Sequence, residues 1–325
     1  MNKNKNKKKY ISKDIGICVL TFNRPLHLKK TLNGLKKNNV KKLYIFCDGI
    51  NHHMGDEIKN RNKEVIKIIK KINWCKIILY KNSKNLGLKN NWLLAKKTMF
   101  SKYTKVIFFE DDCVPLNNSI NFMTKCLNRY AKEKKIKCIT GFSYPNLDYS
   151  NKYDIFFSQR HCPWGFATWK RCWKEFKKTK FKHLNIINNP KKKKNLLRYG
   201  NDLLPMIIND YFKMSNSIGI MWSWYNLKNK GLCIYPKKTL INNIGNDFSG
   251  THATRTNKYY SSVKNFNPKK FPRKIELDKK FNSHIVNFDK VKSLTYFIYS
   301  NTPIFLLKII VKSYFNLKKI FLKNS

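Results

Sequence analysis

Three consecutive acids, Glu110-Asp111-Asp112, close the apolar run Val106-Ile107-Phe108-Phe109. They stand in a chain with 68 Lys and Arg against 18 Asp and Glu. Adjacent carboxylates repel, so such a run calls for a cation or a hydroxyl-rich ligand to relieve it. The C-terminal edge of a buried strand is also where open α/β sheets receive ligands. A divalent metal carrying a phosphorylated ligand is therefore the first chemistry expected here. Oxygen-only ligation by a carboxylate, waters and diphosphate oxygens suits Mg2+ or Mn2+. Asp48 ends a second apolar run, expected beside the triplet's strand. It could accept a hydrogen bond from a base N–H or a ribose, or simply form a turn with Gly49.

Other candidates lie downstream. Trp164, Trp169 and Trp173 could cover the apolar face of a sugar or belong to the core. Trp169 and Trp173, one helical turn apart, favour the core, whereas Trp164, just before Gly165 in an expected loop, is the better ligand candidate. His252, in the polar stretch Gly250-Thr251-His252, is a candidate metal or phosphate ligand. The nine cysteines are odd in number and none pair as C-x-x-C, so they indicate neither a zinc site nor a disulfide framework. Within apolar runs they act as small hydrophobes, which suggests a reducing compartment.

The elements that must position these residues begin at Asp14. Ile15–Leu20 has the continuous apolar character of a buried parallel strand, and Pro25 suits the first turn of a helix marked by Leu28, Leu32 and Leu35. Leu43–Cys47 and Lys76–Tyr80 are further strands, with a helix around Ile58–Ile72 between them. Trp92, Ala95 and Met99 mark the helix before the triplet's strand. Four β-α repeats imply a doubly wound, mostly parallel sheet flanked by helices. No G-x-G-x-x-G or G-x-x-x-x-G-K-[ST] occurs, so neither phosphate cradle is expected. Beyond the triplet, Ile120–Tyr130 reads as helix, Cys138–Phe142 and Gly231–Pro236 as strands, and Lys191–Lys194 as a solvated loop.

Composition bounds the rest. At 325 residues, 42% hydrophobic and 14% aromatic, the chain is too apolar to be disordered. Its net charge of +50 invites nucleic acid or an anionic membrane. Heavy use of Lys, Asn and Ile throughout also accounts for it. Residues 1–12 read as a disordered basic N-terminus without a signal-peptide core. Residues 261–325 read as a basic linker and an amphipathic helical tail. Asn301, Pro303 and Lys308 break its apolar stretch, so membrane-surface association fits better than spanning. Docking on the domain's own core is the alternative.

Taken together, Val19–Pro25, Asp48-Gly49, Asn85-Leu86-Gly87, Glu110-Asp111-Asp112, Trp164–Trp169 and Asn243-Ile244-Gly245 resemble the GT-A fold glycosyltransferases. The resemblance is to the family 2-like bacterial sugar transferases and, more distantly, the N-acetylglucosaminyltransferase I type. It covers roughly Asp14 to Thr254 and implies a catalytic domain over 13–260, with a donor half at 13–115 and an acceptor half at 116–260. It further implies a nucleotide-sugar donor, most often a UDP-sugar, and a glycan or lipid-linked acceptor, with the enzyme at the cytoplasmic membrane face. Thr21, Asn23 and Arg24 would line the base pocket, Asp48 would contact the uracil, and Asn85 and Gly87 would border the donor. Glu110 and Asp111 would touch ribose or sugar, Asp112 would hold Mn2+ or Mg2+, and Trp164 and Gly165 would face the acceptor. An inverting transfer also needs a carboxylate to deprotonate the acceptor. The closest match to the family's place for it is Asn216-Ser217-Ile218, with Asn where an acid is expected. Asp210 is then the candidate base, with Asp202 behind it. The rival readings are a metal-dependent nucleotidyltransferase and a basic nucleic-acid-binding protein, although no specific nucleic-acid motif is present.

Overall fold

The computed structural model describes residues 12–147, 152–179, 181–215, 217–247, 256, 258–261 and 265–323. Strands and helices alternate first: β1 (Ile15–Thr21), α1 (Pro25–Lys37), β2 (Lys42–Cys47), α2 (Asp56–Lys70), β3 (Lys76–Lys81), α3 (Gly87–Lys102) and β4 (Lys105–Glu110). A shorter set follows: β5 (Cys113–Pro115), α4 (Ser119–Arg129), β6 (Ile136–Thr140), β7 (Ile155–Ser158), β8 (Phe166–Trp169) and α5 (Lys170–Lys178). Helices then dominate, with α6 (His183–Ile187), α7 (Pro190–Leu197), α8 (Leu203–Tyr211) and α9 (Ile218–Lys228). The chain returns to the sheet through β9 (Leu232–Pro236) and β10 (Ile241–Asn243), then forms α10 (Lys279–Phe288), α11 (Ser293–Asn301) and α12 (Ile304–Lys323).

Eight strands form one sheet in the order β3-β2-β1-β4-β8-β6-β9-β7. Only β8 and β7 run against the other six, so the sheet is largely parallel but mixed in its second half. Every residue of β1 is buried, as a central strand covered on both faces requires. β2 and β4 both pair with β1, so Asp48 and the triplet are separated by that strand rather than adjacent as expected. This corrects the sequence reading: periodicity identifies strands but not their neighbours.

Among the described residues two hydrophobic cores result. The larger follows the sheet and takes in Phe281 and Ile285 of α10, with Phe281 stacked on Phe156 at 4.5 Å. The stretch read as a linker is therefore partly core. The smaller joins α6–α9 to the tail through Leu204, Ile208, Leu307 and Val311. Lys191–Lys194 lies within α7 rather than a loop, because Pro190 and the Asn189 side chain, which accepts from the Lys192 N–H at 2.9 Å, start a helix there. Trp169 ends β8 while Trp173 lies on α5, and both are buried.

Candidate functional site

Four side chains and one turn bind the triplet before any ligand arrives. Glu110 pairs with Leu20 in the β1–β4 register, which sets the acids beside the end of β1. There the Thr21 hydroxyl donates to Asp111 Oδ2 at 2.9 Å, and Thr31 of α1 donates to the Asp111 carbonyl at 2.7 Å. Arg24, in the turn between β1 and α1, forms ion pairs with both Asp111 and Asp112, the latter at 2.9 Å. Trp92 of α3 donates its indole N–H to Glu110 at 3.0 Å. The cation that three adjacent acids call for is thus partly supplied by the chain, and Arg24 is committed to the acids rather than free to line a base pocket. One guanidinium does not balance three carboxylates. Burial, followed by the neighbouring Asp112 charge, pushes Glu110 up to about 7. Burial also raises Asp111, against the pull of Arg24.

Asp112 is the member with an oxygen to spare. Its Oδ2 accepts from Arg24, whereas among the described residues Oδ1 meets only the weak Cys113 thiol at 3.4 Å. The turn after β10 crosses directly over it. The Ile244 N–H donates to the Asp112 carbonyl at 2.9 Å, and a Cβ on Gly245 would collide with Asp112 Oδ2. Only glycine lets that turn approach, and the space it keeps lies beside a carboxylate oxygen. A hard divalent cation fits this donor set. His27 bonds to the same turn through the Ile244 carbonyl at 3.2 Å and Asp247 at 3.0 Å.

Asp48 is occupied differently. Its carboxylate accepts from the Gly49, Leu86 and Gly87 amides and from the Asn82 side chain, all at 2.9–3.0 Å. It therefore anchors the loop before α3, and the Asn85 side chain completes that loop through the Gly49 carbonyl at 3.0 Å. Asn23 is half-buried in the turn that carries Arg24.

On the other side, Gly165 has φ 63° and a Cβ there would meet Ile241 at 2.6 Å, so the turn after Trp164 also needs glycine. The half-buried Trp164 packs edge-on against Phe142 and Tyr259, with centroids 4.7 and 5.0 Å away. His252 lies outside the described residues.

Asp210 belongs to the helical core. It accepts from the Ser217 amide at 3.1 Å, contacts His183 Nε2 at 2.8 Å and lies 3.8 Å from the Lys89 ammonium. Burial would raise its pKa, but these partners outweigh it and hold Asp210 below the usual carboxylate range. Its side chain is 2% exposed against 22% for His183, so the imidazole is the member of the pair that meets solvent. Lys89 lies in the first turn of α3, whose start is the Asp48-anchored loop. Asp202 is bound by both guanidinium nitrogens of Arg160, at 3.0 and 2.6 Å, and is a structural partner. Sequence reasoning missed Thr31, Trp92, Lys89 and His183, because none stands in a motif and each reaches its acid across tens of residues or from another element.

No protein-family profile matches the sequence, and no curated protein matches it. Among solved structures, the chain is similar to the mannosyltransferase PcManGT from Pyrobaculum calidifontis in complex with GDP-Man and Mn2+. That similarity has 10% identity and a TM-score of 0.34, over 51% of this chain and 46% of that one. It is also similar to S. aureus TarS, with 10% identity and a TM-score of 0.35, over 50% of this chain and 29% of that one. The chain thus spans less than half the length of either protein, and likeness at this level assigns no activity.

Proposed function

We propose that the chain is a metal-dependent glycosyltransferase that moves a sugar from a nucleotide-sugar, in the first instance a UDP-sugar, to a glycan or lipid-linked acceptor. The observation that carries this reading is the β4 edge: three acids, one guanidinium, and an Asp112 carboxylate lying under a turn that only glycine permits. Excess negative charge at a ligand-receiving sheet edge favours a cation that brings a diphosphate with it. When bound by Asp112, Mn2+ or Mg2+ would supply Lewis-acid stabilisation to the departing diphosphate. The chain's own groups do the rest. Thr21 and Arg24 hold Asp111 in place, Trp92 orients Glu110 toward the donor's ribose or sugar, and Asp48 fixes the 85–87 loop as one wall of the donor site.

For the deprotonating group we assign the Asp210–His183 pair, with His183 the solvent-facing member and Asp210 fixing its ring. In this reading Trp164 lines the acceptor side.

The tail adds a location. Leu307 and Val311 of α12 are buried in the helical core, while Phe305, Leu306, Ile309 and Ile310 are exposed beside Lys308 and Lys312. Among the described residues no helix is long and apolar enough to cross a membrane. An apolar strip flanked by cations suits the surface of an anionic bilayer. We assign the outer face of α12 to that contact, which would bring a lipid-linked acceptor to the enzyme.

A thermal-shift screen of nucleotide-sugars with and without Mn2+ or Mg2+ tests the central claim. Metal-dependent stabilisation by one nucleotide-sugar, lost in Asp112→Asn, is expected. Pyrophosphate release from a nucleoside triphosphate, without response to any nucleotide-sugar, would replace this reading with nucleotidyl transfer. Salt-dependent duplex binding alone would replace it with nucleic-acid binding.

A further inference from the structure

A second cluster of ligating side chains lies away from the acids, inside the second half of the sheet. Cys138 of β6 and Cys233 of β9 are register partners on neighbouring parallel strands, and both are fully buried. His161, in the connection between β7 and β8, turns its imidazole onto them, with Nδ1 3.6 Å from Cys138 Sγ. The two sulfurs and a ring nitrogen all lie within 4.8 Å of one another. A tetrahedral Zn2+ with a thiolate at about 2.3 Å and an imidazole nitrogen at about 2.0 Å would separate those atoms by roughly 3.5 Å. The observed spacing needs little closure to reach that.

An independent observation points to the same place. Five buried side-chain polar atoms lack a hydrogen-bond partner among the described residues, and two of them, Asn226 Oδ1 and Trp222 Nε1, belong to neighbours of this cluster. Asn226 is fully buried and donates its amide to Cys138 Sγ at 3.5 Å, while the Trp222 ring lies 6.2 Å from that of His161. Orphaned polar atoms in a well-packed interior are costly, and they gather where a polar occupant belongs. A water as fourth ligand would give Asn226 Oδ1 the hydrogen-bond donor it lacks. Lys96, whose ammonium lies 4.1 Å from the Trp222 ring and within 6.0 Å of five further rings, is held by aromatic faces. Two thiolates and a divalent cation form a neutral unit, so such a site adds no net charge next to that ammonium.

We infer that Cys138, Cys233 and His161 form a buried binding site for a borderline-soft divalent cation, of which Zn2+ is the type, distinct from the oxygen site at Asp112. Two sulfurs and a nitrogen select such an ion over Mg2+. The site is structural. It ties β6 and β9 to the segment running from His161 to Trp164, and Thr140, two residues beyond Cys138, donates to the Trp164 carbonyl at 2.9 Å. The metal would thereby brace the wall that carries Trp164.

The test uses the full chain. Metal analysis of the isolated protein should find one equivalent of zinc, and Co2+ added to chelator-treated protein should give thiolate-to-cobalt charge-transfer absorption. An oxygen-only site at Asp112 cannot produce that band, so the outcome is independent of the glycosyltransferase reading. Cys138→Ser and Cys233→Ser should each weaken Co2+ binding by roughly 100-fold or more. Cys75→Ser, on the β3 edge, should leave it unchanged. If the serine variants fail to fold, the unsubstituted protein's spectrum decides alone. Absence of the band at saturating Co2+ would overturn the inference. A Cys138–Cys233 disulfide in freshly isolated protein would also overturn it.

Discussion

At the β4 edge and in the α8 pocket the chain solves the same problem, a buried carboxylate, with opposite charge balances. Three acids at the sheet edge share one guanidinium, whereas Asp210 alone meets both Lys89 and His183. The edge keeps excess negative charge and asks for a further cation. The pocket does not, and its acid serves to position a histidine. Burial of a carboxylate is common to both; the ratio of acids to basic partners separates them.

Removing the edge's internal cation breaks this contrast most severely. Arg24→Met leaves Asp111 buried without its ion-pair partner, and stability without metal should fall by about 3–5 kcal/mol. Added Mn2+ should then raise the melting temperature of the variant more than that of the unsubstituted chain. Equal shifts would mean that the guanidinium and the metal do not share the same charges.

Chemistry gives the next test. Asp112→Asn should lower transfer on the order of 100-fold to 1,000-fold and remove the metal response, a loss typical of a group that stabilises developing charge. Retained metal-dependent activity would move the metal elsewhere along the triplet. In the helical core, Leu307→Ala should cost about 2–5 kcal/mol by opening a cavity where α12 docks, read by urea denaturation. Loss below about 0.5 kcal/mol would mean that the tail is not held there.

The α8 pocket has a pH signature. Because the folded pKa of Asp210 lies below its unfolded value, about 3.9, its contribution is present above that value and is lost as pH falls through the lower, folded one. Asp210→Asn should therefore cost about 1–3 kcal/mol near neutral pH and flatten the acid limb of the stability profile. An unchanged limb would remove the carboxylate from the His183 network. The smallest stability effect belongs to the outer face of α12. Ile309→Ser should change stability by less than about 0.5 kcal/mol yet reduce flotation with anionic vesicles. Undiminished flotation would detach this face from membrane binding.

What could be read along the chain was local. The strand starting at Ile15, the Pro25 helix, the helix before the triplet and the acids at the end of β4 follow from apolar period and breakers, so they needed no partner to be seen. The tail gave a divided result for the same reason. Its amphipathic character is sequence-local, but that Leu307 and Val311 face the helical core while Phe305 and Ile309 face outward depends on what lies beside it.

Pairing across the fold was beyond that reach. The sequence alone determined that three like charges end a buried strand. It did not determine that Arg24, 86 residues before Glu110, would neutralise part of them. It did not determine that β1 would stand between Asp48 and the triplet, or that Asp48 would be used up in holding the loop before α3. The cysteines show the limit most sharply. Without a C-x-x-C, those within apolar runs read as core residues, and eight of the nine are buried. Only the parallel pairing of β6 with β9, closed over by His161, brings two sulfurs and a nitrogen within 4.8 Å. Spacing in the chain records turns and faces, whereas strand order and long-range register are set by the packing of the whole sheet.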